Sequence, residues 1–414
     1  MVRRPGTPSL LRELNDRAAL ELLLTGGPLT RAQLGELTGL SKVTASQLLA
    51  RLEERGLVAV AGELASGRGP SAALYGVVPS TAYVAGLHVE QDEVSAGVAD
   101  VTGRVMGEVS VDPNGSPDPV TLVRGAVATA CAAAGISADE LCAFVIGTPG
   151  VLDPRTGDPR LAVNLPAWHE GVLAALRSDL RRPVTIENDV NLAAMAEHAA
   201  GAAAGAGDFV LVWIGVGLGL AAMLGGRLHR GAGGAAGEIG YLPVPGVPLP
   251  QDVTHPATGA FQGLIGAQAL LPLAARHGFG PPAVGTLTAS PVTAGSAGAR
   301  PATAGSAVRA AVTAAAAGDQ RGSDFLGELA ARVATGVASV CVVLDPGLVV
   351  LGGEIGLAGG HELAGRVAAR VAQICPARPQ VVPTGIGGGP VLRGAILAAV
   401  DQARAELLAS VAAP

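Results

Sequence analysis

From Val84 to Leu351 short apolar runs alternate with stretches of helical spacing, and this alternation restricts what the chain can fold into. The runs Val84 to Val89, Val94 to Ala99, Cys142 to Ile146, Val184 to Glu187, Phe209 to Ile214 and Leu348 to Leu351 have strand length and end at turn residues. Helical stretches follow several of them: Val120 to Ala134, Val172 to Leu180, Asn191 to Ala203 and Leu326 to Val343. Such a pattern predicts an α/β architecture with ligands at the loops beyond strand ends. The 414 residues, 49% of them hydrophobic, are enough for two or three cores. Only 2% are aromatic, against 60 glycines, so aliphatic side chains and close backbone approach must supply the packing.

No uninterrupted apolar run reaches membrane-spanning length, because Val210 to Leu224 is broken by Gly215, Gly217 and Gly219 and stops at Gly225, Gly226 and Arg227. Arg3 and Arg4 have no apolar stretch behind them that would make a signal peptide. A cytoplasmic protein without a membrane partner is therefore expected. Cys131, Cys142, Cys341 and Cys375 lie in Ala/Val/Ile-rich surroundings without metal-type or redox-type spacing, and read as buried free thiols. Residues 1–79 carry 9 basic against 7 acidic side chains, whereas the whole chain has a net charge of −6. A weakly basic head on an acidic body is compatible with nucleic-acid binding by the head.

That head reads as a winged helix-turn-helix. Leu10, Leu14, Ala18 and the Leu20 to Leu24 cluster fall at helical spacing, and Gly26-Gly-Pro28 ends the helix. Thr30 can cap a second helix, Arg31 to Thr38, which Gly39 terminates. Ser41 can cap a third, Lys42 to Arg55, with Val43, Leu48, Leu49 and Leu52 facing inward. Helix, glycine-containing turn and helix is the arrangement that lays a recognition helix in the major groove. The outward face of that helix offers Ser41, Lys42, Thr44, Ser46, Gln47 and Arg51, groups suited to base edges and phosphates, and Lys42 is the only lysine in the chain. Leu57 to Val60 and Ala72 to Val78 would form a wing around the Ser66 to Pro70 turn, with Arg68 at its tip. The plainer alternative is a helical protein-interaction module whose polar face is merely solvated.

With these segments the chain resembles the ROK family of repressors, uncharacterised members and sugar kinases. Its repressor branch has segments like Gly39-Leu-Ser-Lys-Val-Thr-Ala-Ser46 and Ser66-Gly-Arg-Gly-Pro70. Further motifs follow in family order: Gly147-Thr-Pro-Gly150, Asn164-Leu-Pro-Ala-Trp168, Glu187-Asn-Asp-Val-Asn191, Gly215-Val-Gly-Leu-Gly219, Gly225-Gly-Arg227, Gly237-Glu-Ile-Gly240 and the run from Leu344 to Gly353. The resemblance implies a winged helix-turn-helix over residues 1–79. Residues 80–414 would then form an actin-like, two-lobed α/β domain of the sugar-kinase type, with a cleft between the lobes, that binds an effector and dimerises. Residues 281–322, rich in Ala, Gly, Thr, Ser and Pro, read as a flexible surface insertion.

Carried over by motif, Asn164, Asn188, Asp189 and Glu238 would contact sugar hydroxyls. In the family's kinases the Asp189 position is the base that deprotonates the attacking hydroxyl. Asn188 and Asp189 also read simply as the cap of the helix beginning near Asn191, a role that does not exclude binding. Phosphoryl transfer needs backbone amides around the phosphates and a carboxylate to hold Mg²⁺. Family kinases place Asp-x-Gly-Gly-Thr after the first strand, but here the stretch is His88-Val-Glu-Gln-Asp92, whose Glu90 and Asp92 would repel phosphate. Val216 stands where a kinase typically has threonine. The family's zinc pattern is also altered, with Tyr241 at its histidine, Val253, His255 and Ala260 at its cysteines, and Gln262 replacing a nearby carboxylate. No metal, cofactor, ATP binding or catalytic residue is expected.

The expectation is a repressor of carbohydrate-metabolism or related genes. It would bind operator DNA as a homodimer or dimer of dimers and sense a sugar or sugar phosphate without phosphorylating it. Two rivals stay open: an ATP-dependent sugar kinase with an appended DNA-binding domain, and a DNA-binding scaffold with a vestigial cleft.

Overall fold

In the computed structural model, which describes residues 8–65, 71–90, 93–113, 119–153, 159–161, 184–253, 259–280 and 303–411, the first apolar stripe becomes helix α1 (Pro8–Gly26). Ala19, Leu20, Leu23 and Leu24 are its buried side. Thr30, in the short strand β1 (Leu29–Thr30), caps α2 (Arg31–Thr38) reciprocally: its hydroxyl accepts from the Gln33 N–H at 3.2 Å while the Gln33 side chain accepts from the Thr30 N–H at 2.9 Å. Gly39, at φ 70° and ψ 17°, stops that helix in a left-handed conformation that a side chain would disfavour. Ser41 caps α3 (Lys42–Glu54), whose Ala45, Leu48, Leu49 and Leu52 are buried. Val43, expected on that buried side, is instead 67% exposed. Strands β2 (Val58–Leu64) and β3 (Ala72–Val77) pair antiparallel and complete a sheet of order β1-β3-β2. The expected wing tip with Arg68 lies outside the described residues.

The chain divides into two units: Met1–Gly147 with Leu165–Thr185 and Ala395–Pro414, and Thr148–Asn164 with Ile186–Gly394. In the first, the winged head stands beside β4 (Tyr83–Val89), β5 (Val94–Asp100), β6 (Val105–Val111) and β7 (Leu141–Thr148), with β4-β5 and β5-β6 antiparallel and β4-β7 parallel. Helix α4 (Pro119–Ala134) buries Val123, Val127 and Ala130, and lies so close to β6 that a Cβ on Gly107 would fall 2.5 Å from the Ala130 carbonyl oxygen. The core of the head does not close on itself. Leu20, Leu34, Leu48, Leu52 and Tyr75 share one cluster with Val101, just past β5, and with Val411 near the chain end.

In the second unit β8 (Val151–Leu152) pairs with β9 (Pro159–Leu161). Strand β10 (Val184–Asn188), which edges the β10-β7-β4-β5-β6 sheet, runs straight into α5 (Asp189–Ala200). A second five-stranded sheet follows, of order β13-β12-β11-β14-β15, from β11 (Phe209–Ile214), β12 (Leu218–Leu224), β13 (Arg227–Leu228), β14 (Leu348–Gly352) and β15 (Gln380–Pro383). Its core packs Val212, Leu351, Phe261, Phe325, Val333 and Leu363 against helices α6 (Gln262–Ile265), α7 (Ala267–Arg276), α8 (Ala304–Ala316), α9 (Gln320–Leu344) and α10 (Gly353–Ile374).

One expectation needs correction here. Residues 304–316 are not part of a flexible insertion but a capped helix, whose Ala307, Val308 and Ala311 are buried. Alanine carries the highest helix propensity, so the same composition serves a core helix. Residues 281–302 of that stretch lie outside the described residues. Helix α9 has the length and composition to cross a membrane, but Glu328 and Arg332 interrupt its apolar run and 56% of its most apolar window is buried within the fold, as in the core helix of a folded domain. Cys131, Cys341 and Cys375 are buried thiols as expected, whereas Cys142 is only half-buried; burial pushes the Cys341 thiol up to about 11.

The last helix, α11 (Pro390–Val411), belongs to both units, with the division falling between Gly394 and Ala395. In the second, a Cβ on Gly394 would fall 1.9 Å from the Leu192 carbonyl oxygen of α5; in the first, one on Gly86 of β4 would fall 2.6 Å from the Ile396 nitrogen. Farther along, Arg404 donates to the Val101 carbonyl at 2.9 Å and the Thr102 carbonyl at 2.8 Å. The far end of α5 is held by Glu197, 1% exposed, which accepts from the N–H groups of Ala202, Gly385 and Ile386 at 2.7, 3.2 and 3.3 Å and from the Thr384 hydroxyl. Glu197→Gln would turn donor against donor at one side of this cluster. Urea unfolding is expected to show a loss of about 2–3 kcal/mol, the usual scale for buried hydrogen bonds to a charged group.

Candidate nucleic-acid face and candidate effector site

Helix α3 is held by its own polar groups at the start and by an ion pair farther along. The Ser41 hydroxyl accepts from the Thr44 N–H at 3.2 Å and shares a 2.9 Å hydrogen bond with the Thr44 hydroxyl, while Ser46 donates to the Lys42 carbonyl at 2.8 Å. Arg51 does not join the outward face as expected. Its Nε and Nη2 donate to Asp16 of α1 at 3.0 and 2.5 Å, and Asp16 is only 6% exposed. This bidentate pair raises the already high pKa of the guanidinium, chiefly through the hydrogen bond to Asp16, and commits its charge to fixing α3 on α1. Lys42, Val43 and Gln47 are left exposed in the first two turns.

Arg31, at the start of α2, was not among the expected contacts. Its Nη2 donates to the Tyr75 hydroxyl at 3.0 Å, with the guanidinium carbon 5.9 Å from the ring centroid, so an exposed cation is oriented beside the helix-turn-helix. Tyr75 lies 44 residues away, which hides the pairing from local inspection of the sequence.

The second site gathers at the junction of β10 and α5. The Asn188 side chain caps α5, its oxygen accepting from the Asn191 N–H at 3.1 Å while its nitrogen donates to the Gly150 carbonyl at 3.1 Å. Both its polar atoms thus position the junction, leaving one lone pair and one N–H for anything else. Glu187, 9% exposed, accepts from the Asn188 N–H at 3.0 Å, the Asn191 amide at 2.9 Å and the Arg230 Nε at 2.7 Å. Arg230 is thus a part of the site that its sequence neighbourhood does not signal. Asp189 accepts from the Val190 N–H at 2.8 Å and stands near enough to Glu238 to act on its charge. Burial first, and the Asp189 carboxylate second, push the Glu238 carboxyl up to about 7. Glu238 can therefore accept or donate a hydrogen bond near neutral pH. Asn164 lies outside the described residues.

Two substitutions noted in the sequence, Tyr241 and Gln262, take visible roles. The Tyr241 hydroxyl donates to the Val253 carbonyl at 2.5 Å, and burial raises its pKa, as do Glu238 and Asp252. The Gln262 side chain accepts from the Leu218 N–H and donates to the Val216 carbonyl, both at 2.9 Å, clamping the glycine loop between β11 and β12. In the first unit, the β4-β5 hairpin carries Glu90 and Glu93, and Glu93 accepts from the hydroxyls of Ser95 and Ser110 at 2.7 and 2.5 Å. His255 lies outside the described residues; among the described ones no group of three or more His, Cys, Asp or Glu could hold a metal ion.

The ROK family matches residues 84–401 and the MarR family residues 14–69. A xylose repressor of Caldicellulosiruptor bescii is 25% identical over 242 residues, 58% of this chain and 61% of its own. The chain spans about three fifths of the length of the curated relatives it matches. A solved ROK family transcriptional regulator, a homologue of the Escherichia coli MLC protein, superposes with a TM-score of 0.70 over 97% of this chain and 99% of its own at 18% identity. A ROK hexokinase of Thermus thermophilus superposes with a TM-score of 0.58 over 78% of this chain and 99% of its own at 29% identity.

The raised carboxyl makes stability pH-dependent. A folded-state pKa near 7, above the ordinary value of 4.5, means that the folded protein holds a proton the unfolded chain releases; its stabilising effect is complete below about 4.5 and lost as pH rises through about 7. Thermal melts between pH 5 and 8 are expected to show wild type losing several degrees relative to Glu238→Gln, whose amide does not titrate.

Proposed function

Because the chain belongs to the ROK family and its head matches the MarR family, we propose that it is a cytoplasmic DNA-binding regulator that represses carbohydrate-metabolism or related genes under control of a sugar or sugar phosphate. The observation that carries this reading is the face of α3: a capped helix, docked by the Arg51–Asp16 pair, that presents Lys42 and Gln47 to solvent. The amide of Gln47 suits a base edge and the ammonium of Lys42 a phosphate or guanine. Ser41, Thr44 and Ser46 shape this face, and Arg68 would add a wing contact. Two heads in a homodimer, or four in a dimer of dimers, would bind a roughly palindromic operator.

The effector would be held by Asp189 and Glu238, with Asn188 and Asn164 contributing, since paired acceptors beside an ambivalent carboxyl suit vicinal hydroxyls. It would change operator affinity by binding two arrangements of the protein unequally. The xylose repressor among its relatives supports both parts of this reading. The acidic β4-β5 hairpin and Val216 argue against phosphoryl transfer, whereas Asp189 and the likeness to a hexokinase favour the second reading, a sugar kinase. ADP release over a panel of sugars, abolished by Asp189→Ala, would establish the kinase instead.

Gel shifts of the full chain on its own upstream region are expected to show saturable, salt-sensitive binding. Lys42→Ala should lower affinity about tenfold and reduce the salt slope by about one, as expected for one lost phosphate contact. Gln47→Ala should cost about 1–3 kcal/mol at one base position, the scale of a bidentate base contact. A sugar or sugar phosphate that changes operator affinity should also raise the melting temperature of wild type but not of Asp189→Ala.

A further inference from the structure

Val43 has no place in the head's core. It occupies the second position of α3, where Ala45, Leu48, Leu49 and Leu52 supply the buried side, and it is 67% exposed. Valine also lowers helix propensity relative to alanine, through restricted χ1 freedom, so the fold gains nothing local from it. A lone exposed aliphatic is ordinary on a protein surface. This one stands among groups that the structure has sorted. Ser41, Thr44 and Ser46 spend hydrogen bonds on the helix start, Arg51 is committed to Asp16, and the exposed side chains of the first two turns are Lys42, Val43 and Gln47. Val43 and Gln47, four residues apart, lie one above the other on the same face.

The major groove distinguishes thymine by a single apolar feature, its 5-methyl group, and the residues at the start of a recognition helix reach the base edges. We propose that Val43 is a specificity-determining residue whose γ-methyl groups pack against the 5-methyl of a thymine in the operator half-site. It would do so next to Gln47, whose amide matches the adenine edge, so that together they select A·T pairs. This rests on the DNA-binding reading above and adds to it a contact of apolar chemistry that polar candidates alone do not provide.

The test uses the full chain and a duplex selected by wild type from a randomised library, followed by fluorescence anisotropy with each thymine replaced singly by deoxyuridine. That replacement removes one methyl group and leaves base pairing intact. At one thymine per half-site wild type is expected to lose about three- to fivefold in affinity, the worth of one buried methyl. Val43→Ala should bind the thymine and uracil duplexes equally, and its melting temperature should match wild type, since alanine is the better helix former. Val43→Thr, which keeps one γ-methyl, should show an intermediate ratio. A thymine-to-uracil ratio retained in full by Val43→Ala, or absent in wild type at every position, overturns the contact while leaving the regulator reading in place. Enrichment of no duplex by wild type overturns that reading and the contact with it.

Discussion

Where Gly394 meets α5, there is no room for a side chain: a Cβ would fall 1.9 Å from the Leu192 carbonyl oxygen. Backbone lies on backbone, and the same helix α11 repeats the arrangement at Gly86, where the Ile396 nitrogen would be 2.6 Å away. With only 2% aromatic residues the chain cannot fill wide spaces with rings, so its helices approach at glycines and close their cores with aliphatic side chains. Much else follows from this contact. It packs α11 against α5, the helix that begins at Asp189, and α11 ends at Val411 in the core of the winged head.

Around that frame, several charged groups are committed to holding the fold. Glu197 and Glu187 are nearly enclosed and saturated by donors, which keeps each end of α5 in a defined position. Asp16 and Arg51 do the same for α3. Buried carboxylates of this kind are strongly destabilising if unpaired, so their neighbours are the least free to change. Glu238 is different: burial and the nearby Asp189 push its carboxyl up to about 7, so it can accept or donate a hydrogen bond near neutral pH.

Much of the head was legible because its signals are local. Thr30, Gly39 and Ser41 mark helix ends by short-range hydrogen bonds and backbone conformation, and α2 runs from Arg31 to Thr38 as its pattern predicts. The strand Phe209 to Ile214 is equally plain from its apolar run. Less legible were α8, α10 and α11, whose Ala- and Gly-rich stretches offer little contrast between a core-facing and a solvent-facing side. Val43 was misplaced for a related reason: at a helix start, one residue's rotation separates inside from outside.

By itself, then, the order of residues determined the helices of the winged head, the plainest strands and the family motifs, since all of these are written in neighbours within a few positions of one another. Tertiary structure alone decided which polar side chains are spent and which are free. Arg51 finds Asp16 35 residues away, Arg230 finds Glu187 across 43, and Glu197 finds Gly385 across 188. Hydrogen bonds and ion pairs act over a few ångströms of space regardless of distance along the chain, so only the folded chain shows which charges they have already claimed.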